Sequence, residues 1–172
     1  MKSYFLKLEF LFLILLLSFS SIAQNPEGFD NMAKNMADKT VPIIKSSQVV
    51  KLQQKSKEIV FLDARELEEY EMSHIKNSIL IGYDDFDIKS VIAINKNSII
   101  VIYCSVGYRS GKIGKQLREM GFTSVFNLYG GLFDWANNGN IVVNESGETK
   151  YVHPYNTKWG KWLKPELRGK TK

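Results

Sequence analysis

The stretch IIVIYCSVGYRSGKIG, residues 99–114, sets the only cysteine of the chain where an apolar run stops and a glycine-containing turn begins. Ile99 to Tyr103 form a continuous apolar run, the pattern of a strand buried on both faces in a parallel sheet. Ser105 to Tyr108 read as a turn in which Gly107 supplies backbone freedom, and Arg109 and Ser110 open a helix that runs through SGKIGKQLREM. In open α/β sheets ligands sit beyond the carboxyl ends of strands, and Cys104 stands at such an end. A lone cysteine is usually a small buried hydrophobe. Here the backbone N–H groups of the turn, the positive end of the helix and the charge of Arg109 would all stabilise an anionic sulfur, so Cys104 reads as a nucleophile.

Outward from this junction the pattern repeats. EIVFLDAR (58–65) is a second buried strand, VPII (41–44), HIKNSILIGY (74–83) and TSVFNLYG (123–130) read as further strands, and helices fall between them. SQVVKLQQ, capped by Ser46 or Ser47, RELEEYEM, DFDIKSVIAIN and GGLFDWANNG are the other helical segments. This alternation predicts an α/β domain with a mainly parallel central sheet flanked by helices on both faces.

The ends of the chain differ from its middle. Lys2 and Lys7, the apolar run from Phe10 to Phe19 and the small residues Ser21 and Ala23 read as a secretory signal over 1–23, cut after Ala23, with an uncleaved anchor as the rival. The apolar run is about half the ~20 residues that span a membrane. Export to the periplasm or another extracytoplasmic space is the expectation. Residues 24–40 read as a lead-in and 41–148 as the domain. The segment 149–172 is a basic, aromatic tail. From Lys150 onward it holds seven Lys or Arg against Glu166, so most of the formal net charge of +5 lies there and residues 24–149 carry about −2. A basic tail on an acidic domain does not suggest nucleic-acid binding. Trp159, Trp162 and Leu163 interleave with lysines, which allows weak contact with an anionic membrane surface; packing on an apolar face of the domain is the reading preferred here, because Pro154, Gly160 and Pro165 interrupt a long helix. A single cysteine excludes an internal disulfide framework, His74 and His153 are too isolated to suggest a metal site, and no cofactor motif is present.

Three blocks, DARELEEYEMSHIKNSILI, YCSVGYRSGKIGKQLREMGF and VFNLYGGLFDWANNG, resemble the rhodanese-like sulfurtransferases in content and order over about residues 41–140, most closely over 55–140. The resemblance implies that Cys104 accepts a sulfane sulfur from a small anionic donor such as thiosulfate, carries it as a persulfide, and passes it to a thiol or cyanide. Ser105, Val106, Gly107, Tyr108 and Arg109 would cradle the donor. Four residues separate Cys104 from Arg109, where the cysteine phosphatases have five, and this distinction argues for sulfur rather than phosphate. Asp63 and Arg65 match an Asp-x-Arg element near the pocket. Their residues read as structural, Asp63 capping backbone amides and Arg65 pairing with Glu68 or Glu69. His74 reads as a hydrogen-bonded structural residue, with Ser73 where the family usually has glycine. A non-enzymatic module that binds an anion or a partner protein is the alternative, and a redox role through mixed disulfides is a third reading.

Overall fold

The computed structural model describes residues 26–55 and 57–171, so the segment read as a signal, 1–23, lies outside the described residues. Helix α1 (Pro26–Met36) leads into strand β1 (Ile43–Ile44) and helix α2 (Ser46–Gln54). Strand β2 (Ile59–Asp63), helix α3 (Leu67–Met72), strand β3 (Ile79–Leu80), strand β4 (Ile99–Tyr103) and helix α4 (Tyr108–Glu119) follow. Strand β5 (Ser124–Leu128), helix α5 (Gly131–Asn137), the hairpin of β6 (Val142–Asn144) with β7 (Gly147–Thr149), and helix α6 (Thr157–Gly160) complete the order.

The five strands β1 to β5 form one parallel sheet in the order β1-β5-β4-β2-β3, as the alternation of strands and helices implies. Period-two alternation decides what each face buries. Phe61, Val101 and Tyr103 point to the face covered by α1, α2, α5 and the segment after β7. Leu62, Ile100 and Ile102 point to the other, where Ile113 and Leu117 of α4 seal the core. Burial on both faces is what the unbroken apolar runs signal. From β2 the chain moves outward to β3, then returns to the other side of β2 as β4. The loops after β2 and β4 therefore diverge, and a crevice opens between them.

Two elements differ from the sequence reading. The helix expected over DFDIKSVIAIN shrinks to a 3₁₀ turn at Ile88–Ser90, because Asp87 caps it through Lys89 N–H and Val91 alone of its apolar residues is fully buried while Ile92 faces solvent. Helix α2 is capped at Lys45 rather than Ser46 or Ser47: Gln48 Oε1 accepts the Lys45 N–H, and Ser46 Oγ instead donates to Asp134 Oδ2 at 3.0 Å. The segment after β7 is part of the core. Val152 and Leu163 are fully buried, Trp162 packs edge-on against Phe29 with centroids 6.0 Å apart, and Asn137 Nδ2 donates to the Trp162 carbonyl. This is the packing expected for the tail, although Tyr151 and Tyr155 stay about half exposed.

Candidate functional site

Cys104 follows β4 directly, buried at the floor of the crevice. Its Sγ accepts the Gly107 N–H at 3.1 Å and lies 3.5 Å from Ser110 Oγ. Gly107 caps α4 with φ of 101°, a left-handed conformation that only glycine adopts without strain. That geometry aims the N-terminus of a 12-residue helix at the sulfur. The turn over Ser105 to Tyr108 thus sets one backbone N–H and the start of a helix beside the sulfur.

What fixes this turn comes from elsewhere in the chain. Leu132 and Phe133 at the start of α5 donate their N–H groups to the carbonyls of Cys104 (2.8 Å) and Ser105 (3.1 Å). Those carbonyls are thereby occupied by donors outside the turn. Asn127, fully buried on β5, donates through Nδ2 to the Gly107 carbonyl at 2.9 Å and accepts the Ser110 hydroxyl at 2.8 Å. A polar residue set between Phe126 and Leu128 in the strand SVFNL is the signal that could have found it. Gly131 lies so close that a Cβ there would fall on the Cys104 carbonyl oxygen and the Ser105 backbone, and its φ is 57°. Gly131→Ala should therefore destabilise the fold by roughly 2–4 kcal/mol, combining left-handed strain with overpacking, and should slow alkylation of Cys104. Urea unfolding and a thiol-labelling time course check both effects. A variant of unchanged stability and labelling would show that the contact is not needed.

Arg109 corrects the sequence reading in one respect. Its side chain reaches the crevice, but Nη1 and Nη2 grip Glu69 Oε2 and Oε1 at 2.7 and 2.8 Å, and Nη2 also donates to Ser105 Oγ. Ser105 Oγ donates in turn to Glu69 Oε1 at 2.6 Å. The formal charge expected to serve the sulfur is thus largely offset by a buried carboxylate. Burial pulls the Arg109 pKa down, but hydrogen bonding to Glu69 and the charge of its carboxylate outweigh it and leave it raised. Burial raises the Glu69 pKa, and the Arg109 hydrogen bonds and charge outweigh that and leave it below the usual range. Glu69 stays ionised at neutral pH.

Asp63 and Arg65 are fully buried behind the crevice, and here too the partners differ from expectation. Arg65 pairs with Asp63 rather than with the Glu68 or Glu69 carboxylates, through Nε at 2.9 Å and Nη2 at 2.6 Å. It also donates to the carbonyls of Glu69, within α3, and of Ser73, its C-cap, which ties the helix to the end of β2. Asp63 accepts the Arg65 N–H, the one backbone amide it caps among the hydrogen bonds described. His74 lies outside the crevice lining. Its ring stacks on Tyr70 at 3.8 Å, Nδ1 meets the Tyr70 carbonyl at 2.9 Å, and its backbone bridges to Val143.

His153 is the histidine that approaches the site. It is buried, and its Nδ1 accepts the N–H of Tyr155, so the ring is neutral with its proton on Nε2. Burial is the largest influence on it and holds its pKa below the ordinary histidine value of 6.5, with Glu69 and Glu68 opposing. A lowered native value means that the unfolded chain takes up the proton first. Stability from this group is complete above pH 6.5 and is lost as pH falls from there through the lowered native value. His153→Asn, which keeps an acceptor for Tyr155, should remove that share of the pH dependence. Denaturant titrations at pH 7.5 and 5.5 compare the two proteins, and equal slopes against pH would refute the assignment.

The crevice is a cleft of about 360 Å³. Its floor is the Cys104–Arg109 loop, one side carries Glu66 and Asp84, and aromatic rings close it. Among the described residues no cluster of His, Cys, Asp or Glu is placed to hold a metal ion.

The sequence profile of the rhodanese-like domain matches residues 46–138, more than half of the chain. The chain belongs to the rhodanese-like domain family. The match ends before β6 and excludes α1 and all that follows α5. A rhodanese-like domain protein of Staphylococcus aureus superposes with a TM-score of 0.54 at 28% identity, over 61% of this chain and 99% of that one. A candidate sulfur carrier of Bacillus subtilis, YrkF, is 36% identical over 75 residues, 44% of this chain and 40% of that protein. A tRNA uridine(34) hydroxylase of Buchnera aphidicola is 33% identical over 119 residues, 66% of this chain and 38% of the relative. The chain thus spans about two fifths of these curated relatives.

Proposed function

We infer that the protein is a sulfurtransferase that moves a sulfane sulfur through a persulfide on Cys104 to a thiophilic acceptor, a thiol or cyanide. One observation carries this: a buried cysteine sulfur at the floor of a cleft, receiving a backbone N–H at 3.1 Å from the start of a helix. Membership of the rhodanese-like family and similarity to a candidate sulfur carrier support the same chemistry.

The thiolate of Cys104 attacks the outer sulfur of the donor. A sulfur–sulfur bond forms to Sγ, the bond inside the donor breaks, and the rest of the donor leaves with the electron pair. With thiosulfate the leaving group is sulfite; with an organic thiosulfonate it is a sulfinate; with a persulfide it is a thiol. Cys104 then carries a terminal anionic sulfur, and the Gly107 N–H and the α4 end favour that charge. In the second step the acceptor attacks this terminal sulfur and releases the Cys104 thiolate; cyanide leaves as thiocyanate. No proton need be taken from carbon or oxygen, so a general base is not required.

A single-turnover experiment tests the reading. Protein loaded with a sulfur donor, freed of excess donor and mixed with cyanide should yield one thiocyanate per chain. A yield indistinguishable from that of a chain lacking the thiol would overturn it.

A further inference from the structure

Half of the residues that wall the cleft around the Cys104–Arg109 floor lie outside the family match. Met36 ends α1, and Tyr155 and Trp159 come from the segment after β7; all three line the cleft, and none lies within 46–138. Tyr155 is one of two non-glycine residues with positive φ among those described, at 63°, a conformation that costs about 1–2 kcal/mol. The strained turn is fastened on every side. His153 Nδ1 accepts the Tyr155 N–H, Asn156 N–H donates to the Pro154 carbonyl, and Asn156 Oδ1 caps α6 through the Trp159 N–H. The ring held there stacks over the Arg109 guanidinium, 5.0 Å from its centroid.

Charge points the same way. Of the charged side chains lining the cleft, Glu66 and Asp84 are acidic and Arg109 alone is basic, and Arg109 is already paired with Glu69. Oε1 of Glu66 is buried without a hydrogen-bond partner, 3.8 Å from Arg109 Nη1. Lys112, beside Tyr108, is matched by Asp38 at 3.7 Å. A small dianion would meet two carboxylates and no free cation on this lining. The aromatic walls of Tyr83, Tyr108, Tyr155 and Trp159 suit an organic body instead. The volume of about 360 Å³ lies within the range typical of pockets that enclose small organic ligands, about 300–1,000 Å³.

We propose that the sulfur is delivered on a small organic carrier with an apolar or aromatic body and little negative charge, and that Tyr155 and Trp159 select it. This rests on the sulfurtransferase reading and narrows its donor class away from thiosulfate. Benzenethiosulfonate, methanethiosulfonate and thiosulfate present the same outer sulfur, on a ring, on a methyl group and on a dianionic sulfonate. For each, the kcat/KM of Cys104 persulfide formation is divided by its rate with a free thiol in solution. The expected order is benzenethiosulfonate, then methanethiosulfonate, then thiosulfate, with roughly tenfold or more between first and last. In Tyr155→Ala and Trp159→Ala the ratio of the phenyl to the methyl donor should collapse several-fold, mainly through KM. Tyr155→Phe and Trp159→Phe, which keep a ring, should restore it and guard against loss of fold. Glu66→Gln should improve the use of thiosulfate relative to both. A corrected preference for thiosulfate, or donor ratios unmoved by the alanine variants, would overturn the proposal and leave sulfur transfer standing. Failure of all three donors to modify an alkylatable Cys104 would overturn both.

Discussion

Cys104→Ser should reduce sulfur transfer to cyanide to the uncatalysed background while the domain stays folded. The serine oxygen is nearly isosteric with sulfur and can accept the same Gly107 N–H. Stability should therefore change by no more than about 1 kcal/mol, within the ordinary range for point substitutions. What disappears is the chemistry, because an alkoxide is not accessible near neutral pH and an oxygen cannot carry and release a sulfane sulfur. Thiocyanate formation with purified protein, beside a thermal melt, measures both. Substantial turnover in the serine variant would remove Cys104 from the mechanism. A collapsed melt would mean that the thiol matters to packing as well.

The largest effect on stability should come from Asp63→Ala. Asp63 and Arg65 are both fully buried, joined by hydrogen bonds of 2.6 to 3.1 Å. Removing the carboxylate strands a guanidinium that cannot shed its proton, and such broken pairs cost roughly 3–5 kcal/mol. Burial alone would lower the Arg65 pKa; the Asp63 charge and hydrogen bonds outweigh it and hold it raised, so the ion pair accounts for the charge. Asp63→Ala combined with Arg65→Met should recover a good part of the loss, since the second change removes the orphaned charge while keeping apolar volume. Some deficit should persist, because Arg65 also satisfies the Glu69 and Ser73 carbonyls. Urea unfolding of the single and double variants gives the coupling directly. A double variant no better than Asp63→Ala would show that the geometry at α3, and not the buried charge, is what the pair supplies.

The parts legible in the sequence are those that depend on near neighbours. Ile59–Leu62 and Ile99–Tyr103 announce two central strands because a parallel strand covered on both faces must be apolar at every position. The turn after β4 is legible for the same reason: strand end, cysteine, glycine at the left-handed position and helix start occupy one short segment. The rest depends on partners far along the chain. Arg109 meets Glu69 40 residues away, and the LEEYEM pattern of α3 gives no sign that one of its glutamates turns inward while Glu68 stays in solvent. Asn127 reaches back 20 residues to Gly107. Tyr155 and Trp159 sit in a segment whose lysines and prolines read as a tail, yet the fold folds them back over the cleft. The helix expected over residues 85–95 fails because Asp87 competes locally for the backbone, a side-chain contact that apolar spacing does not reveal.

The most direct test of the account is the mass of the protein after brief exposure to benzenethiosulfonate, with tandem fragmentation to place the modification. One added sulfur atom is expected, on Cys104, which disappears on addition of cyanide as one equivalent of thiocyanate is released. A thiol that alkylates readily but gains no sulfur from this donor, from polysulfide or from thiosulfate would contradict it and assign the cleft to binding alone.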